Sequence, residues 1–493
     1  MTPLPVGTTT GPGSDPPSLL PVDGAGSPPG VGSADRGPTD ASTEPIRPGR
    51  SDPGIDQGPT TRSGFTGWLT AVAVVAAGIQ VLFIHALSRR STLPAAGWYD
   101  TVQARQLVRG HWLIDPVQAT SGAHLLVPTA AHPPLPTIAL AVADVVNATG
   151  PTSHMVFLAL LFVASVVLAG VTVRDLVGER AGILASLVMA TFPLLWVNPA
   201  TVGPETVVIA VTTLLLFAAV RFWAAPGAGP AALVGLALGL CTLTRTDLVA
   251  LVVLVGLPLG LLVKHASWPV RLRGLAVMGI LFLLVVGPWV GRNVALFGHT
   301  TILADDFGTT VAGANCHATY SGPLLGWWSP TCPAATRSAH SGGAVSPGDQ
   351  VRTARRYVTA HRGAAVGVVG ARLGRLWGVY RPGQTATLES VTGRPAWVSR
   401  LGRWYLYVAV PLAIVGAVIL RRRRLLLFPF VAVIVLSSLT AVLAFGDPRF
   451  AVDGDVALAL LAGVALDAGA GAAARRWSTG PGRHSAGREP STS

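Results

Sequence analysis

Carboxylates, arginines and tryptophans stand at the ends of long apolar runs in this chain, and their types suit transfer of a group from an anionic carrier. Asp100 opens a mixed polar and apolar stretch, Asp100 to Trp112 (DTVQARQLVRGHW), just past the first apolar run. A carboxylate at the lip of a membrane cavity can take the proton of a hydroxyl nucleophile; the plainer alternative is a solvated helix face. Glu205 follows Pro204 at the start of a later apolar run. A carboxylate there also simply suits the helix dipole. His132, before Pro133 and Pro134, is either a turn residue or a ligand to substrate or metal. Arg245, Arg292 and Arg449 each stand at the end of an apolar run. Arg245 and Asp247 could pair and mark a turn. A guanidinium at that depth is also suited to grip a phosphate through two bonds. Three such arginines beside two carboxylates favour an anionic, lipid-linked substrate.

The cysteines sort by position. Cys241 lies in an apolar run and reads as a small packing residue. Cys316 and Cys332 share one long polar segment, and such pairs oxidise outside the cytoplasm. Two free thiols are the alternative, and a zinc site would need more ligands than the nearby His317 supplies. The loop so closed would hold Trp327 and Trp328, aromatic surfaces suited to a sugar or lipid, near the cavity. No cofactor is called for. A divalent ion held through Glu205 stays open, although no dense cluster of ligands is visible.

These residues must be held by membrane helices. Half of the 493 residues are hydrophobic and 12% are charged, against about 25% charged in soluble domains. A bilayer span takes about 20 apolar residues. Candidate spans lie near 66–87, 154–173, 181–198, 206–223, 231–244, 247–263, 274–290, 404–420, 425–443 and 453–470. The predicted fold class is an all-α polytopic membrane protein of about ten transmembrane helices. With the N-terminus in the cytoplasm, Arg174, Arg180, Arg221, Lys264, Arg271, Arg273 and Arg421 to Arg424 all fall on inner links, as the positive-inside rule asks. The run 134–146 is short and reads as a re-entrant or interfacial helix on the outer side. Two long outer loops then cover 88–153 and 291–403. Residues 1–63 hold 13 Pro and 11 Gly and read as a disordered cytoplasmic tail. The membrane domain spans 64–470, and 471–493 reads as a basic cytoplasmic tail. The net charge of +13 is therefore read as topology, not as nucleic-acid binding.

The chain resembles the GT-C membrane glycosyltransferases of the protein-mannosyltransferase and aminoarabinose-transferase type, in their actinobacterial form. The matching stretches are YDTVQARQLVRGHWLIDP (99–116), AHPPLP (131–136), LWVNPATVGPE (195–205) and GLALGLCTLTR (235–245). They continue with PWVGRN (288–293), GTTVAGANCHATYSGPLLGWW (308–328), RLWGVYRP (375–382) and GDPRF (446–450). Their order and spacing carry the likeness, since no single stretch is strong. The resemblance implies a GT-C-like bundle and transfer of a sugar from a polyprenyl-phosphate carrier, with inversion, at the extracytoplasmic face of the plasma membrane. It implies a general base in the first outer loop and a second carboxylate that holds acceptor or metal, a role that falls on Glu205. In relatives the base stands about seven residues before the QA-like pair; here that place is Ala96, and Asp100 follows one helical turn later. Asp115 is a second candidate. The GDPRF stretch has Ala451 where relatives often carry another arginine. Envelope glycan, protein and lipid acceptors stay open. The rival readings are a transporter or flippase for a lipid-linked sugar, against which no internal repeat is seen, and a non-catalytic relative that binds lipid-linked sugar.

Overall fold

The computed structural model describes residues 62–87, 95–122, 125–146, 150–263, 266–298, 301–334 and 346–478. The tail read over 1–63, except for its last two residues, lies outside them, as do Lys264 and 479–493. The described residues form no strand beyond one isolated antiparallel bridge between Ile114 and Pro128.

Helices of eight residues or more run in the order α1 (Arg62–Leu87), α2 (Ala95–Val108), α3 (Leu135–Val145), α4 (Pro151–Leu176) and α5 (Glu179–Thr191). Next come α6 (Glu205–Ala224), α7 (Ala228–Thr244), α8 (Trp268–Phe297), α9 (Phe307–Ala314) and α10 (Pro347–Ala360). The chain closes with α11 (Arg362–Leu376), α12 (Pro382–Glu389), α13 (Ala396–Arg422), α14 (Phe428–Leu443) and α15 (Val452–Ser478).

The protein is all-α and multi-pass. Among the described residues five helices, α1, α4, α6, α8 and α13, are long and apolar enough to cross a membrane. A sixth span arises if α5 is joined to the segment Pro193–Thr201, from which it is bent by 59°. The break falls at Phe192–Pro193, where proline cannot continue the helical hydrogen bonding. Shorter apolar helices cover Leu135–Val145, Ala228–Thr244, Thr246–Leu262 and Phe428–Leu443. All ten apolar runs of the sequence fall on helical segments, and the run at 134–146 is a separate short helix. The last helix runs on to Ser478, into the stretch read as a basic tail.

Helix α15 sits in the core. From Ala451 to Ala465 every residue is buried. Close approach there depends on small residues, as in other membrane helices. A Cβ on Gly416 of α13 would collide with the Leu461 backbone, and one on Gly463 of α15 with the Ala185 backbone.

Candidate active site

The site is built around α2. Because α2 starts at Ala95, Asp100 lies in its second turn rather than at its opening, and only 7% of its surface is exposed. The inward face of α2 is made of Gly97, Asp100, Thr101 and Ala104, at helical spacing. A Cβ on Gly97 would stand 2.8 Å from the Thr201 carbonyl oxygen, so the helix lies directly on the turn that precedes Glu205. One turn further on, the Gln103 amide donates to the Ile114 carbonyl (3.0 Å) and accepts from the Thr137 hydroxyl (2.7 Å).

That turn is unusual. Val202 adopts a left-handed conformation, φ 55°, which costs a β-branched residue about 1–3 kcal/mol. The carboxylate of Glu205, the first residue of α6, folds back over Gly203, where any Cβ would collide with it. Glu205 is thereby held beside Asp100, and both line one cleft of about 1100 Å³.

The shared burial sets the acid–base state. Burial pushes the Asp100 carboxyl up to about 6, and the negative charge of Glu205 adds to the rise. The His132 charge and the nearby Thr137 hydroxyl oppose it. A carboxylate near neutrality suits proton abstraction.

His132 stands at the mouth of the same cleft, about half exposed, with Nδ1 3.5 Å from Asp306 Oδ2 and its ring edge-on to Tyr99. Burial within the cleft would lower the imidazole, but the hydrogen bond and charge of Asp306, with the charge of Asp100, outweigh it and hold it above its ordinary value. Asp306 comes from the segment after α8, which is tied to the first long loop by the Asp305 amide donating to the Ala130 carbonyl (3.0 Å).

Two arginines, each paired with a carboxylate, and several aromatic rings complete the lining. Arg245 donates through Nε (3.1 Å) and Nη2 (2.5 Å) to the two oxygens of Asp247, which also accepts from the Thr440 hydroxyl (2.7 Å). Its Nη1 is buried without a hydrogen-bond partner among the described residues. Arg449 pairs with Asp447 (3.2 Å). Trp328, Phe445 and Phe450 continue this lining, and Leu436, Leu439 and Leu443 of α14 give it an apolar flank.

Thus Asp100, His132, Glu205, Arg245, Arg449 and Trp328 come together. Arg292, Trp327 and Asp115 do not line the cleft. Arg292 donates to the carbonyls of Thr129 and Leu113 (both 3.1 Å) and lies over the Trp289 ring, so it fastens the first long loop to α8. Trp327 is buried against Phe445 and Arg375. Asp115 caps the short helix Pro116–Thr120 by accepting from the Val117 amide (2.9 Å). Cys316 and Cys332 form a disulfide. The loop that it closes is gripped by Arg375, which donates to the carbonyls of Leu325 (2.7 Å) and Pro323 (2.8 Å).

Sequence reasoning missed Asp306, Thr440, Phe450 and the role of Arg375. The first three lie in or beside matched or apolar stretches and carry no spacing signal of their own. Among the described residues no group of three or more His, Cys, Asp or Glu could hold a metal ion.

No protein-family model and no curated protein matches the chain. Among solved structures it is similar to the oligosaccharyltransferase AglB of Archaeoglobus fulgidus, solved with an inhibitory peptide and a dolichol-phosphate. The identity is 14%, over 85% of this chain and 52% of that one, with a TM-score of 0.49. ArnT of Cupriavidus metallidurans bound to undecaprenyl phosphate is similar at 16% identity, over 84% of this chain and 80% of that one, with a TM-score of 0.41. The protein O-mannosyltransferase Pmt1–Pmt2 complex of S. cerevisiae bound to the sugar donor is similar at 14% identity, over 50% of this chain and 36% of that one, with a TM-score of 0.38. These structures belong to the GT-C superfamily. The chain spans about half the length of the oligosaccharyltransferase.

Proposed function

We propose that this chain is an inverting glycosyltransferase of the plasma membrane that moves a sugar from a polyprenyl-phosphate carrier to a hydroxyl acceptor at the extracytoplasmic face. One observation carries the reading. A single cleft holds a buried carboxyl group raised toward neutrality, a second carboxylate beside it, two arginines and an apolar helix flank. Each part answers one need of that reaction. The motif order in the sequence supports the same class.

The chemistry follows from the walls. The acceptor hydroxyl gives its proton to Asp100 as its oxygen attacks the anomeric carbon. The bond from that carbon to the phosphate oxygen breaks, and the electron pair leaves with the phosphate. Attack and departure on opposite faces invert the configuration. The departing phosphate gains negative charge, which Arg245 and Arg449 stabilise as fixed donors. Glu205 accepts hydrogen bonds from acceptor hydroxyls, Trp328 offers a sugar an aromatic face, and His132 closes the mouth. The leucines of α14 suit a polyprenyl tail, whose burial is worth about 0.8 kcal/mol per methylene.

The test is turnover by the purified full chain in nanodiscs. A panel of short-chain polyprenyl-phosphate pentoses and hexoses is offered with soluble glycoside, peptide and lipid acceptors. The expected result is release of polyprenyl phosphate in equal amount to new glycoside. Movement of intact lipid-linked sugar between leaflets, or binding with no bond cleaved, would overturn the reading in favour of a flippase or a non-catalytic binder.

A further inference from the structure

A second polar array lies directly behind the cleft. The Thr101 hydroxyl is 3.3 Å from His154 Nδ1, and His154 Nε2 is 2.9 Å from Asp144 Oδ1. Thr101 belongs to α2, His154 to the first turn of α4 and Asp144 to the end of α3. All three are buried, His154 completely, and Asp144 Oδ2 has no hydrogen-bond partner among the described residues.

The order hydroxyl, imidazole, carboxylate is that of a hydrolytic triad, but none of the three lines the cleft. No substrate atom can reach the Thr101 oxygen, so the array does not act as a nucleophile. It is also an expensive way to close a helix junction. Buried polar groups cost free energy unless each is hydrogen-bonded, a demand that apolar residues of similar volume would not make. Its use must lie in what it fixes.

What it fixes is the rotation of α2. The inward face of α2 touches the Thr201 turn through Gly97 and the apolar core through Leu107, and between these contacts its buried positions are small or polar: Asp100, Thr101, Gln103 and Ala104. The polar ties at Thr101 and Gln103 therefore complete the contacts that set which way this stretch of the helix faces. Successive residues differ by about 100° around a helix, so a modest turn would swing Asp100 out of the cleft. We propose that the Asp144–His154 pair is a positioning device for Asp100, acting through the Thr101 hydroxyl to keep the neighbouring carboxyl turned into the cleft. The proposal rests on the reading of Asp100 as the base; His154, Asp144 and Thr101 are positioning residues.

The test uses the full chain in nanodiscs and two readouts. Infrared difference titration follows the Asp100 carboxyl band, identified as the band lost in Asp100→Asn. The groups facing Asp100 are His132, Glu205 and Thr137, and these stay intact in every variant. Thr101→Val keeps the shape and removes the hydroxyl; His154→Gln removes the link to Asp144. Both should move the titration midpoint toward the ordinary carboxylate range, while Thr101→Ser, which keeps the hydroxyl, restores the wild-type midpoint. With the polyprenyl-phosphate panel, Thr101→Val should lower kcat by about five- to tenfold, the worth of one hydrogen bond, with donor KM unchanged. A wild-type midpoint in Thr101→Val would overturn the proposal, whatever the thermal stability. If the wild-type chain turns over nothing in the panel, the functional reading fails, and the carboxyl titration still decides the positioning role. Full activity in Asp100→Asn would instead refute Asp100 as the base.

Discussion

Arg245 and Arg449 share one aromatic ring: their guanidinium carbons lie 5.2 and 5.1 Å from the centroid of Phe450. The two cations reach the cleft from distant parts of the chain, and the ring spaces them. Each contact is worth about 0.5–2 kcal/mol, more as water is excluded. Phe450→Leu should therefore lower kcat/KM by about tenfold, with part of the loss in kcat because both arginines act on the departing phosphate, as judged by steady-state kinetics with a fixed acceptor. Arg292→Ala provides the contrast. It should lower the thermal midpoint without a specific loss of donor affinity, because its bonds go to the carbonyls of Leu113 and Thr129.

Asp100→Asn keeps the shape of the side chain and removes its basicity. Loss of a general base lowers turnover by about 10²–10⁴-fold, and binding of polyprenyl phosphate should persist. Asp115→Ala removes a helix cap, so it should cost about 0.5–2 kcal/mol of stability and leave the turnover per folded molecule intact. The reverse pattern would move the base to Asp115. If neither substitution lowers turnover in an otherwise active chain, Glu205 is the carboxylate to test next.

The pH–rate profile should show an acid limb. Asp100 must be ionised to act, so kcat/KM should fall as the pH drops through about 6. The His132 charge opposes the rise of the Asp100 carboxyl, so His132→Gln should move this limb to higher pH. Asp100→Asn should remove it. An unchanged acid limb in a residually active Asp100→Asn protein would show that another group titrates there.

Asp100 should also be a stability cost. Its carboxyl titrates higher in the folded chain than the ordinary 3.8. Between about pH 4 and 6 the folded chain binds the proton that the unfolded chain has already lost, so stability falls as pH rises through that window. The total is on the order of 3 kcal/mol at neutral pH. Asp100→Asn should thus melt higher than wild type at pH 7 and converge with it below pH 4. Equal melting points at pH 7 would mean that Asp100 is better solvated than its burial implies.

The disulfide between Cys316 and Cys332 closes a loop that contains Trp328. Closing about 15 residues contributes roughly 3 kcal/mol in the chain-entropy model. Cys316→Ser with Cys332→Ser should lower the thermal midpoint and weaken sugar-dependent binding more than binding of polyprenyl phosphate alone. Non-reducing peptide mapping of the wild type should recover the linked peptides, and free thiols at both positions would remove the basis for the effect.

The sequence by itself determined the helices. Apolar run length is a local property, and backbone groups in a bilayer have no partner but their own helix. The runs near 66–87, 154–173 and 206–223 therefore reappear as α1, α4 and α6. It also marked Asp100, Glu205, Arg245 and Arg449, because ionised groups beside apolar runs are costly and so stand out. Only the tertiary structure decided which of these meet. Arg292 and Arg449 read alike in the sequence, yet one is spent on backbone carbonyls and the other lines the cleft. A helix that is apolar on all sides gives no periodicity from which to read its rotation. The neighbours of Asp100 lie far off in the chain, Glu205 and His132; Arg245 pairs locally with Asp247, as the sequence allowed, but the Thr440 hydroxyl on Asp247 and the Phe450 ring beneath Arg245 come from distant segments. The Thr101–His154–Asp144 chain was equally hidden, since its members sit on three helices whose packing no local pattern encodes.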